Sequence, residues 1–246
     1  MHERVNYRLG TWPLRRRLAQ WIGNKVHIFA WGLKGKRFIQ YPESALAHKF
    51  CVGNGLEIGA SAHNPFGLDA LNVDYSDSSD TPFKQKEVAL CGSARPVDIV
   101  ARGDDIPLPN ESQDFVVSSH VLEHFANPIK VLLEWDRLLR INGIIFMIVP
   151  HKDRTFDREL DRTLLDHVIE DYRSSNTKLC TIGHGHEHVW ITEDVVEIVT
   201  WVMQHLGVKW LIEAVRDVDD KVGNGFTVVV RKLGRREASP ISYLSR

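Results

Sequence analysis

The chain has 246 residues, of which 43% are apolar, and a formal net charge of -1, so one α/β domain with a substantial core fits within it. The near-neutral balance gives no global attraction to nucleic acid, and the composition excludes collagen, coiled coil and extended disorder. Three cysteines, Cys51, Cys91 and Cys180, match no zinc or redox spacing and fit a reduced, cytoplasmic setting. No leader pattern is visible and no apolar run approaches a membrane span, so stable membrane insertion is not expected.

Residues 1–50 read as a helical, basic cap. Arg15, Arg16, Arg17, Lys25, Lys34, Lys36 and Arg37 alternate there with Trp12, Trp21, Phe29 and Trp31. From residue 55 the pattern becomes alternating βα. Gly55-Leu56-Glu57-Ile58-Gly59 is a short buried strand ending in a glycine turn, and Leu71-Asn72-Val73-Asp74 is a second ending in an acid. Asp114-Phe115-Val116-Val117-Ser118 is a third candidate. An amphipathic stretch follows, with Val121, Leu122, Phe125, Ile129, Leu132, Leu133, Leu138 and Leu139. Its core has Asn127 as N-cap, Pro128 at the first helical position and Gly143 shortly past the end. Residues 144–149 are continuously apolar, as suits a strand covered on both faces.

Residues 151–190 are polar and irregular, with a predicted helix over 164–172. They form the acceptor-side insertion of a main domain spanning 51–232. A helix starts near Thr192 and ends before Gly207, two strands follow around 210–215 and 226–230, and residues 233–246 are a tail. This order predicts an α/β, Rossmann-like fold: a mostly parallel seven-stranded sheet with helices on both faces. Ligands of such sheets bind beyond the carboxyl ends of the strands.

Gly59, Ala60 and Ser61, with Ala62 after them, let backbone approach a ligand closely. Asp74, seventeen positions beyond Glu57, can accept both hydroxyls of a ribose. Asp104 or Asp105 can accept from an adenine amine while Ile106 covers the ring. Gly55 to Gly59, Asn72-Val73-Asp74, Ile106 to Pro109 and Ser112 to His124 together resemble the class I S-adenosylmethionine (SAM) dependent methyltransferase family, over roughly residues 50–230. The glycine loop departs from the usual pattern: Ser61 and His63 stand where further glycines would be. The resemblance implies SAM as cofactor. Glu57 would order the turn and face the methionine amine. Asp74 would bind the ribose, and Ser119 and His120 would line the methionine side.

The acceptor would lie past the 114–118 and 144–149 strands. His151, His120 and His124 are candidate bases, because a sugar hydroxyl is a poor nucleophile at neutral pH. Asp153 could orient His151 or bind a metal, with Mg²⁺ as the candidate ion. His184, His186 and His188 alternate, which would put them on one side of an extended segment. Pro150 to Asp157, Asp166 to Tyr172 and His186 to Trp190 resemble methyltransferases of bacterial polysaccharide and glycan synthesis, including those acting on methylmannose polysaccharide precursors. That resemblance implies a mannoside or oligosaccharide hydroxyl as acceptor, with Trp190, Trp201 and Tyr172 able to stack on a sugar face or else to belong to the core. The expected partners are a carbohydrate substrate, no nucleic acid, and a second copy in a homodimer. The alternatives are a natural-product or lipid head-group methyltransferase, a non-catalytic SAM-binding partner protein, and a nicotinamide oxidoreductase.

Overall fold

A computed structural model describes residues 38–39, 41–61, 66–175 and 186–235. Most of the basic N-terminal segment, Ala62, His63, Cys180, His184 and the tail from 236 lie outside the described residues. The chain divides after Ile39 into two units, and the sheet and its helices lie in the unit Gln40–Arg246.

In chain order the elements are α1 (Ala45–Phe50), β1 (Gly55–Ile58), β2 (Ala70–Asp74), α2 (Pro82–Cys91), β3 (Ile99–Val100) and β4 (Gln113–Ser119). Next come α3 (Pro128–Leu138), β5 (Leu139–Pro150), α4 (Leu165–Arg173), α5 (Thr192–His205), β6 (Val208–Arg216) and β7 (Gly225–Arg235). Single 3-10 turns stand at Leu122–His124, Lys152–Arg154 and Phe156–Glu159. The strands form one seven-stranded sheet in the order β3-β2-β1-β4-β5-β7-β6. The first five of these pair in parallel; β7 runs antiparallel to both β5 and β6. Chain order reverses between β1 and β4, which opens a crevice at their carboxyl ends.

Both faces of the sheet are covered, and this explains the apolar runs. Along β4, Val116 packs in a cluster with Ile129, Leu132 and Trp135 of α3, Val168 of α4 and Val195, Val199 and Val202 of α5. Its neighbours Phe115 and Val117 point the other way, into a smaller cluster with Ala47 of α1, Phe66, Phe146 and Ile148. Each such aliphatic or aromatic side chain contributes about 1.5–3 kcal/mol on burial. α3 starts as its sequence directs: the Asn127 side chain accepts from the Lys130 amide at 2.9 Å, and Pro128 is at the first position. The Trp135 indole then donates to the Gly103 carbonyl at 2.9 Å, tying α3 to the loop after β3.

Residues 121–125 form a 3-10 turn and loop ahead of α3, in keeping with Asn127 as its N-cap. Two local expectations change. α3 ends at Leu138, well before Gly143, and the positive-φ position there is Asn142 (φ 68°). The segment 113–119 is the fourth strand, because the two-residue β3 precedes it.

Candidate active site at the carboxyl ends of the strands

The loop leaving β1 is held from several directions. Gly59 has φ 65°, and its amide donates to Val73 O at 2.8 Å. A Cβ there would meet Val121 Cγ2 at 2.8 Å, so both conformation and space demand glycine. The Ala60 amide donates to Asn72 Oδ1 at 3.2 Å, and Ser61 Oγ donates to Phe83 O at 3.3 Å. The main anchor is Lys84 of α2, which is 3% exposed. Its ammonium donates to Ala60 O at 2.6 Å, Glu87 Oε2 at 3.1 Å and Arg95 O at 3.1 Å, and lies 4.0 Å from Asp74 Oδ2.

Asp74 ends β2, directly beside that loop. Burial pushes its carboxyl up, while Lys84 and the Tyr75 and Ser76 amides pull against that rise. Glu57 is fully buried. One carboxylate oxygen takes the Arg95 guanidinium, and the other has no hydrogen bond among the described residues. Burial raises this carboxyl too, with Arg95 and Lys221 opposing.

The structure separates the two candidate adenine acids. Asp104 is buried and receives Arg102 Nε at 2.7 Å, Arg102 Nη2 at 2.9 Å and Lys130 Nζ at 2.9 Å. Burial alone would raise its pKa, but Arg102 and Lys130 hold it below the usual carboxylate range. Asp105 is exposed. The Ile106 side chain is 1% exposed and packs in the larger core cluster, and its amide donates to Glu134 Oε1 at 2.8 Å. Ser119 ends β4 with its hydroxyl buried, and His120 follows at φ 55° with its amide donating to Ile148 O at 2.9 Å.

On the acceptor side His151 caps the turn after β5, 8% exposed. Asp153 offers it a backbone amide, not its carboxylate: the amide donates to His151 Nδ1 at 3.2 Å. The nearby acid is Asp217, whose Oδ1 lies 3.7 Å from His151 Nε2 and which also pairs with Arg154 at 3.1 Å. Burial lowers the His151 pKa. Arg154 lowers it further, against Asp217, Asp153 and Glu193. The ring is therefore neutral at ordinary pH, and with Nδ1 accepting from an amide its hydrogen sits on Nε2.

A second group gathers around Glu123, beyond β4. Glu123 is fully buried. Burial pushes its carboxyl up to about 8, with its own amide lowering it and Asp157 raising it further. His124 Nε2 and His186 Nε2 each stand 3.7 Å from Glu123 Oε1. His186 Nδ1 is 2.6 Å from Asp157 Oδ2, and Phe156, 72% exposed, leans over the His186 ring with centroids 4.7 Å apart. His186 and His188 do not share a side. His186 faces Glu123 and Asp157, whereas His188 stacks on Trp190 at 4.9 Å and neighbours His167. The cause is local: the Glu187 and His188 amides both donate to Glu123 O, so the segment is not extended. Trp190, 1% exposed, is core, and Trp201 packs on Tyr172 with centroids 6.4 Å apart.

Sequence reasoning missed Lys84, Arg95, Asp157 and Asp217. Thr81-Pro82, an N-cap followed by a proline at N1, was the available signal for α2 and hence for Lys84.

Among the described residues, no helix is long and apolar enough to cross a membrane. Residues 50–147 match the family described as Methyltransferase domain. An uncharacterized protein of Methanocaldococcus jannaschii is 33% identical over 113 residues, which is 44% of this chain and 50% of that protein, so the chain spans about half the length of the curated relative it matches. Among solved structures, a SAM-dependent methyltransferase of Thermotoga maritima, described as a possible histamine N-methyltransferase, aligns over 89% of this chain and 96% of its own at 15% identity and TM-score 0.46. The methyltransferase in a complex with the Haloferax volcanii Trm112 activator aligns over 92% and 98% at 13% identity and TM-score 0.45. Residues 50–147 are thus similar to the methyltransferase domain family, and the seven-stranded, mostly parallel sheet whose order reverses between β1 and β4 is a Rossmann-like α/β fold.

Proposed function

We propose that the protein is a SAM-dependent O-methyltransferase whose acceptor is a sugar hydroxyl, in a mannoside or oligosaccharide. The methyltransferase part of this reading rests on the family match and on Asp74 and Gly59 at the mouth of the β1–β4 crevice. The sugar part is carried by one observation: a neutral, polar-flanked imidazole, His151, at the end of β5, with Asp217 beside it.

In this reading Gly59, Ala60 and Ser61 admit the cofactor, Asp74 takes its ribose hydroxyls, and Ser119 and His120 border its methionine end. The exposed Asp105 is the adenine acid, since Asp104 is already committed to Arg102 and Lys130. SAM supplies an electrophilic methyl group on a sulfonium. In-line transfer of that methyl group to the acceptor oxygen would leave the hydroxyl proton to be taken by His151 Nε2. That last step uses the tautomer with its hydrogen on Nδ1, reached by giving up the 3.2 Å contact with the Asp153 amide, about 1 kcal/mol. Phe156 offers the exposed aromatic face against which a sugar ring can lie.

Methyl transfer from labelled SAM to a panel of mannosides, other sugars, phenols and lipid head groups tests the reading. Transfer to a sugar is expected. Transfer confined to phenols or lipids rejects the sugar acceptor, and SAM binding without transfer to any class favours a non-catalytic partner protein. His151→Ala is expected to abolish transfer and spare SAM binding. Full rescue by His151→Gln, which can donate but cannot take the proton, would make His151 a positioning donor rather than the base.

A further inference from the structure

We propose that Glu123, His124 and His186 form a binding site for one divalent first-row transition-metal ion, with Asp157 fixing His186 for the task.

The geometry rests on where the protons can be. His186 Nδ1 lies 2.6 Å from a carboxylate oxygen of Asp157, so it donates its hydrogen there. The Nε2 lone pair is then left pointing toward Glu123 Oε1, 3.7 Å away. His124 Nε2 approaches the same oxygen at 3.7 Å. The ligand atoms of the three residues all lie within 4.8 Å of one another. Metal–ligand bonds of about 2.0–2.1 Å set neighbouring tetrahedral donors about 3.3 Å apart, so each 3.7 Å pair would close by a few tenths of an ångström and the two imidazoles would draw together around the ion.

Glu123 is the independent sign that something belongs there. Its side chain is fully buried, and neither oxygen has a hydrogen bond to another described residue. A buried carboxyl with neither oxygen hydrogen-bonded is costly to keep, and a cation between it and the two imidazoles would satisfy it. Asp157 on the far nitrogen of His186 supplies the carboxylate–histidine pairing that orients metal-bound imidazoles and fixes their tautomer.

Two imidazoles and one carboxylate suit Zn²⁺, Fe²⁺, Mn²⁺ or Co²⁺ better than Mg²⁺ or Ca²⁺, which prefer all-oxygen shells. Three protein ligands leave a position for water or for an oxygen of a substrate. The cluster begins four residues past the end of β4, and His124 packs on Phe83, whose carbonyl receives Ser61. The ion would thus stand at the carboxyl end of the sheet. Its use in holding or polarising the acceptor oxygen rests on the proposed methyltransferase activity; the binding site itself does not. Asp153, the sequence's metal candidate, belongs to neither histidine–carboxylate cluster found among the described residues.

The test uses tag-free full-length protein stripped with a chelator and titrated with Zn²⁺ in a calorimeter and with Co²⁺ in a spectrophotometer. One equivalent is expected to bind, with visible Co²⁺ absorption of a low-coordinate site and a rise in melting temperature. Glu123→Gln and His186→Ala should each weaken binding at least 100-fold, and Asp157→Asn about 10–100-fold. His167→Ala, in the other cluster, should bind as the parent does. Glu123→Gln keeps the shape and removes the metal-ligating carboxylate, so without metal it should melt no lower than the parent, which separates lost binding from lost folding. Absence of stoichiometric binding at micromolar metal, or binding unchanged in Glu123→Gln and His186→Ala, overturns the site. SAM affinity is measured on the same samples, so failure of the metal site and failure of the methyltransferase reading remain distinguishable.

Discussion

The β1–β2 side of the crevice and the Glu123 group beyond β4 treat their buried carboxylates in opposite ways. On the β1–β2 side each is matched by a protein cation: Glu57 by Arg95, Asp104 by Arg102 and Lys130, and Asp74 and Glu87 by Lys84. On the β4–β5 side the ion-pairing partners of Glu123 and Asp157 among the described residues are histidines, His124 and His186, not lysine or arginine. The first half is a closed electrostatic unit that holds its loop in place before any ligand arrives. The second leaves Glu123 without a hydrogen bond among the described residues, as befits the side where a ligand is proposed.

The sharpest way to break the first half is to remove Lys84. Lys84→Ala strands Glu87 and frees the Ala60 carbonyl, and loss of one partner from a buried charge group costs about 3–5 kcal/mol. Urea unfolding should show a midpoint shift of that size with unchanged slope, whereas a shift under about 1 kcal/mol would mean that Lys84 is not the anchor.

A smaller effect is expected on the acceptor side, at Asp219. Its carboxylate accepts four backbone amides, from Lys221 at 2.9 Å, Val222 at 2.7 Å, Gly223 at 3.0 Å and Gly225 at 2.8 Å. Burial alone would raise its pKa, but these amides hold it below the unfolded value of about 3.9. Its contribution is therefore present above about pH 4 and lost as pH falls through the lowered folded value. Asp219→Ala should cost about 2–3 kcal/mol at neutral pH, and the gap to the parent should shrink in acid. A gap independent of pH would contradict the assignment.

The mildest expectation concerns His151. Because its folded pKa is lowered, transfer should stay flat through neutrality and fall only as pH drops below the ordinary histidine value of about 6.5. A rate that halves on the alkaline side of neutrality would point to another base.

Apolar periodicity and strand-end chemistry made β1, β2, β4, β5, α3 and α5 legible from sequence, together with the positions of Gly59, Asp74 and His151. α2 was not legible, because the face it buries carries Lys84 and Glu87 rather than aliphatic residues. β3 has two residues, too few to show a period. The Glu123 group assembles parts from three separated segments, and spacing within 184–188 says nothing of an acid at 123 or 157. The same spacing misled on His186 and His188, whose segment bends around the Glu123 carbonyl.

The claim on which the rest stands is that the crevice between β1 and β4 binds SAM with Asp74 on the ribose. Calorimetric titration of SAM into the parent protein and into Asp74→Ala tests it directly. One site in the parent is expected, with affinity at least about 10-fold weaker in the variant, as loss of charge-assisted hydrogen bonds worth about 1.5–3 kcal/mol implies. No binding by the parent, or equal affinity in both proteins, would contradict it.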